Sequence, residues 1–187
     1  MGHIVAILGS PRKDGNSSTI AYSAVDGAMG LSTNLIDIHE LNQLNCVRGC
    51  QACEKCKQAG ICVVRDDLSK TLADVKAADA VIVAVPLYFG HASSQYRQFE
   101  DRLYGFIDAK GKSVLPEGKK LIVIVTYGGA KDQAEKVADD IETVFVRCFK
   151  CRPCGRIIYQ GNDKDQAKND PKVLKEARDL GFALWKD

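Results

Sequence analysis

Five short runs rich in Val and Ile, at residues 4–9, 34–38, 80–87, 121–127 and 156–160, constrain this chain more than any other feature in it. They are continuous, without polar alternation, so they read as parallel strands covered on both faces. Amphipathic stretches separate them. Val173, Ala177, Leu180 and Leu184 repeat at four, three and four, and Ala134, Val137, Ala138, Ile141, Val144 and Phe145 recur at helical spacing. Further helices are predicted after Asn16, Asp67 and Ala92. Five β-α repeats define an open doubly wound α/β sheet, five-stranded and parallel, with helices on both faces.

At 187 residues the chain is read as a single domain, 1–187, large enough to bury a core without staples. Its 26 Lys and Arg against 24 Asp and Glu are scattered, and no basic stripe points to nucleic acid. The longest apolar stretch, 80–87, falls far short of the ~18 residues that span a bilayer. The N-terminus runs straight into the first strand, so the expectation is a soluble, cytoplasmic protein away from membranes. In that setting eight cysteines read as metal ligands or redox thiols, not disulfides.

Ligands of a doubly wound sheet sit beyond the carboxyl ends of its strands, where strand order reverses. The loops at 10–18, 39–66, 88–91 and 127–131 are therefore the candidates. After the first strand, Gly9, Ser10, Pro11, Arg12, Lys13, Asp14, Gly15, Asn16, Ser17 and Ser18 lead into a helix. Small residues let backbone N–H groups approach a ligand, the helix N-terminus favours an anion, and Arg12 or Lys13 adds charge. A phosphate fits there. Neither Gly-x-Gly-x-x-Gly nor Gly-Lys-Ser is present. The plainer alternative is a helix capped by Asn16 or Ser17. Two more strand ends, Pro86, Leu87, Tyr88, Phe89, Gly90 and His91, and Thr126, Tyr127, Gly128 and Gly129, offer aromatic rings and glycine backbone to a flat ring, or form ordinary turns.

The Gly-Ser-Pro-Arg-Lys loop, the Pro-Leu-Tyr-Phe-Gly stretch and Asp101-Arg102 resemble the NADPH-dependent FMN reductase family and its iron–sulfur flavoprotein branch, over most of the chain. The resemblance implies a flavodoxin-like fold in which Ser10, Arg12, Asn16, Ser17 and Ser18 hold the phosphate of flavin mononucleotide (FMN). It also implies that Pro86 to Gly90 and Tyr127 to Gly129 line the isoalloxazine ring. The flavin then carries the chemistry, and no catalytic acid or nucleophile is expected. A homodimer or homotetramer, with the ring site finished by a neighbour, is a further implication.

The loop at about 39–66 is far longer than the ~4–6 residues of an ordinary connection. It holds Cys50-x2-Cys53-x2-Cys56-x5-Cys62, followed by Asp66-Asp67. Such closely spaced thiolates can wrap an iron–sulfur cubane. The flavoprotein resemblance implies a 4Fe-4S cluster beside the flavin. The same residues could bind zinc or remain free thiols. Cys46 departs from the spacing and is read as a spare. Cys148, Cys151 and Cys154 fall between the fourth helix and the fifth strand, at the amino edge. Strands of ~5–6 residues put the two edges ~17–20 Å apart, so Cys46 does not complete that triplet. The triplet could hold a second metal only with a fourth ligand from elsewhere, and reads more simply as a helix end and a turn around Pro153. His91 could touch the flavin or serve in packing or hydrogen bonding, and Trp185 reads as a packing residue. The functional expectation is electron transfer between a carrier such as ferredoxin and an acceptor. The alternative is an NAD(P)H-dependent FMN or quinone reductase whose cysteines hold zinc.

Overall fold

The computed structural model describes residues 2–30 and 34–185. Strands β1 (His3–Leu8), β2 (Leu35–Glu40), β3 (Ala80–Tyr88), β5 (Lys120–Tyr127) and β6 (Arg152–Gln160) form one parallel sheet in the order β2-β1-β3-β5-β6. A two-residue strand, β4 (His91–Ala92), folds back antiparallel on the end of β3. The order reverses between β1 and β3, as the flavodoxin-like reading requires.

Alternation within each strand builds two cores. Val5, Ile7, Val81, Val83, Val123 and Val125 face one way, against α3 (Leu68–Ala77), α4 (Ser94–Arg102) and α5 (Lys131–Glu142). Ile4, Ala6, Ile82, Ala84, Ile122 and Ile124 face the other, against α1 (Asn16–Met29) and α6 (Pro171–Ala183). The last two helices cross very closely. A Cβ on Gly27 would lie 2.0 Å from the Arg178 carbonyl oxygen, and one on Gly181 would lie 1.8 Å from that of Ala24.

Two expectations change. The run at 34–38 is not covered on both faces: β2 lies at the sheet edge, with Leu35 and Ile38 exposed. The last strand starts at Arg152 instead of 156, so Pro153 and Cys154 belong to a strand and not to a turn. An edge strand tolerates proline because one row of its N–H groups has no ladder to join. Leu121 pairs with Pro153 and Ile122 with Gly155, which leaves Cys154 as the extra residue of a bulge.

Candidate functional site

At the carboxyl edge, the ends of β1, β3, β5 and β6 meet in a cleft of about 130 Å³ lined by Ser10, Arg12, Asn16, Ser17, Pro86, Leu87, Tyr88, Thr126, Tyr127 and Gly128. Gly15 and Gly161, neither of them a site residue expected from sequence, complete it. Gly161 follows β6, so the topology alone places it on this edge. Lys13 is exposed, Ser18 is buried beneath the helix, and neither lines the cleft; nor do Phe89, Gly90 or Gly129.

The first loop is wrapped tightly. Ser10 Oγ accepts a bond from the Arg12 N–H at 3.1 Å, and a Cβ on Gly15 would sit 3.1 Å from that oxygen. Gly15 is the N-cap of α1, and no side chain caps the helix there. Its first-turn N–H groups are left to a ligand or water, which is the arrangement that binds phosphate. Buried Ser93 donates from Oγ to the Gly9 carbonyl at 2.5 Å, locking the β1 loop to the start of α4.

Asn16 is committed elsewhere. Its Nδ2 donates to the Asp163 carbonyl at 2.8 Å and its Oδ1 accepts from the Ala167 N–H at 2.9 Å. A Cβ on Gly161 would stand 2.2 Å from that Nδ2, so only glycine admits the tether.

The aromatic tip of the hairpin stands apart. Phe89 has φ 48° and is 102% exposed, while Gly90 follows at φ 80°. The left-handed region is costly for a bulky side chain, and such strain clusters at ligand sites. Gly128 and Gly129 form a ledge with nothing within 4 Å of a Cβ on either, which leaves room for a flat ring.

The cysteine segment leaves β2 through a 3₁₀ turn, Leu41–Gln43, and contains one short helix, α2 (Cys56–Ala59), closed by Gly60 at φ 64°. It is tied to the cleft: Asn42 Nδ2 donates to the Pro11 carbonyl at 3.0 Å, and Gln95 Nε2 donates to Asn42 Oδ1 at 2.9 Å. Cys50 and Cys53 are exposed, Cys56 is buried and Cys62 is half-buried; none is in a disulfide. Burial pushes the Cys56 thiol up, Lys57 opposes this, and Cys62 and Cys53 add to the rise. Ala52 and Glu54, on either side of Cys53, both have positive φ. Among the described residues, however, no three Cys, His or acidic side chains converge tightly enough to hold an ion. The donor set suits a soft metal, and metal binding would itself close the loop.

The acidic pair and Arg102 explain how the segment is held. Asp67 accepts from the Asn45 and Cys46 N–H groups at 2.8 and 2.9 Å. Asp66 accepts from the Arg48 N–H at 2.9 Å and pairs with Arg102 at 2.8 Å, both side chains fully buried. Burial works against ionisation of Asp66, but the Arg102 guanidinium and the Arg48 N–H hold its carboxyl below the usual range. A Cβ on Gly105 would strike the Cys62 backbone N at 2.7 Å, so glycine is what lets the segment lie against the chain after α4. In the sequence Asp66-Asp67 is only an acidic pair after the cysteines and Arg102 only part of a resemblance; that Asp66 pairs with Arg102, and that Asp67 holds the backbone at Asn45 and Cys46, is visible only in the fold.

The second cysteine group is dispersed. Cys148 is exposed, Cys151 is buried in the core that holds α5, and Cys154 packs against the opposite core. Burial pushes the Cys151 thiol up to about 11, the behaviour of a core residue.

A flavodoxin-like α/β protein, with a cleft at the switch point and a cysteine segment tied to the loop beside it, is the class this architecture defines. The family model of NADPH-dependent FMN reductase matches residues 3–163. The chain belongs to that family, in its iron–sulfur flavoprotein branch. An iron–sulfur flavoprotein from Archaeoglobus fulgidus is 30% identical over 96% of this chain and 77% of its own length. Another, from Methanocaldococcus jannaschii, is 34% identical over 53% of this chain, which spans only 50% of that relative. Among solved structures, an NAD(P)H:quinone oxidoreductase from Methanothermobacter marburgensis superposes with a TM-score of 0.76 at 17% identity, covering 98% of each chain.

Proposed function

We propose that this chain is a flavin-dependent oxidoreductase that binds FMN in the cleft at the β1–β3 switch and a 4Fe-4S cluster on Cys50, Cys53, Cys56 and Cys62. It would pass electrons between a one-electron carrier such as ferredoxin and a second acceptor. The observation that carries the reading is the convergence of the ends of β1, β3, β5 and β6 on one cleft, with the cysteine segment bonded through Asn42 to Pro11 in the loop after β1. At about 130 Å³ the cleft is smaller than the ~300 Å³ lower bound for a whole-ligand pocket, so it suits the phosphate and sugar chain.

Arg12 and the first-turn N–H groups of α1 would neutralise the phosphate. The ring would lie outward, over the Gly128–Gly129 ledge and beside Tyr88. Together the two cofactors supply interconversion of single electrons and electron pairs, and the protein's part is to position them and shield them from water. A homo-oligomer in which a second copy covers the ring site would also cover the exposed Tyr88 and Phe89.

The test is protein purified without oxygen. We expect FMN on acid release and chromatography, broad visible absorbance beneath the flavin bands, and about four irons and four sulfides per chain. Flavin with zinc and no iron would instead support a reductase with a zinc-stapled loop. Recovery of no flavin, even after reconstitution, would overturn the proposal.

A further inference from the structure

We propose that Arg102 is a positioning residue that sets the redox potential of the cluster held by the cysteine segment, through its bond to the sulfur of Cys62. The inference rests on the cluster reading above. Arg102 ends α4 and its side chain is fully buried. Nε donates to Cys62 Sγ at 3.0 Å. Nη1 donates to the Arg48 carbonyl at 2.7 Å and Asp66 Oδ2 at 2.8 Å, while Nη2 reaches the Val64 carbonyl at 3.0 Å and Asp66 Oδ1 at 3.3 Å.

A guanidinium has five N–H donors. Here each meets an acceptor between Arg48 and Asp66, so one rigid fork spans the whole cysteine motif. A pin with a purely structural task would be satisfied by the carbonyls and the carboxylate. The fifth donor goes instead to a sulfur of the ligand set. Hydrogen bonds to ligand sulfurs and nearby charge are the levers by which a protein tunes an iron–sulfur centre. Reduction adds negative charge, and both the N–H···S bond and the buried cation favour it, so Arg102 raises the potential. Asp66 works the other way, offsetting part of the cation's field at Cys62.

Two opposite shifts follow. Arg102→Gln should lower the midpoint potential. Arg102→Lys should lower it less, because an ammonium keeps the charge but cannot present five donors in a planar fork. Asp66→Asn should raise it, leaving the cation uncompensated while an amide oxygen still accepts from Arg48.

Each variant is reconstituted with iron and sulfide without oxygen, checked by far-ultraviolet circular dichroism and iron content, and titrated with redox dyes while the cluster absorbance is followed. The expected order of potentials is Asp66→Asn, wild type, Arg102→Lys, Arg102→Gln, from highest to lowest. Equal potentials in folded, loaded variants would overturn the inference, and so would shifts of one sign throughout. Should Arg102→Gln not hold its cluster, the lysine and asparagine variants still bracket the wild type and decide the matter. A wild-type protein that takes up no iron and sulfide fails at the iron assay, before any potential is read, and overturns the cluster reading with everything built on it.

Discussion

Arg12 lies in the loop after β1 and Asn16, four residues on, opens α1, and the fold separates their tasks. Both carboxamide atoms of Asn16 are spent on Asp163 and Ala167, which staples the start of α1 to the segment after β6. Arg12 is exposed at the cleft, and its backbone N–H, not its guanidinium, bonds Ser10 Oγ. Arg12→Ala should therefore weaken FMN binding by about 1.5–3 kcal/mol, the worth of a charge-assisted bond, with little change in stability. Asn16→Ala should lower stability by about 1–2 kcal/mol through two lost hydrogen bonds, and weaken FMN less than Arg12→Ala does. Flavin fluorescence titration and urea unfolding of the apoproteins measure the two effects. A larger loss of FMN affinity for Asn16→Ala than for Arg12→Ala would return the amide to the phosphate.

Helices α1 and α6 show how a sequence pattern can identify an element without revealing why it must be built from particular residues. Periodicity locates α6, whose apolar residues repeat at four, three and four, while α1 is expected only as the helix that follows Asn16. Gly27 and Gly181, however, look like poor helix residues until the crossing is seen, where each lets a backbone carbonyl of the other helix come close. Gly27→Ala would gain helix propensity in isolation, yet its Cβ would overlap the Arg178 carbonyl at 2.0 Å. The strain of overpacking should win, lowering stability by about 1–3 kcal/mol. Urea midpoints with an unchanged slope would confirm a packing effect. An unchanged or raised midpoint would mean that the helices part at no cost.

For the molecule as a whole, what could be read in advance was what local pattern controls, and what could not was what distant segments do to one another. The sheet, its helices and its ligand edge follow from continuous apolar runs and the rule of strand ends. The cysteine motif is likewise local. The half-exposed β2 and the bulge at Cys154 depend on which strands lie at the edges, and the Arg102 clasp joins residues up to 54 positions apart. That long-range architecture makes a prediction about independence. The cleft proposed for FMN draws its lining from the ends of β1, β3, β5 and β6, whereas Cys50, Cys53, Cys56 and Cys62 lie on the segment after β2. The link between them runs through Asn42, which bonds to the backbone of Pro11 and to Gln95, not through any thiol. Replacing Cys50, Cys53, Cys56 or Cys62 singly by Ser should therefore abolish or badly weaken iron binding, while FMN affinity stays within about threefold, less than 1 kcal/mol. Iron, sulfide and FMN are assayed on each variant, with Cys46→Ser as the control expected to keep its iron. Loss of iron in Cys46→Ser but not in Cys62→Ser would exchange the fourth ligand, and loss of FMN together with iron would mean that the two centres form one cooperative unit.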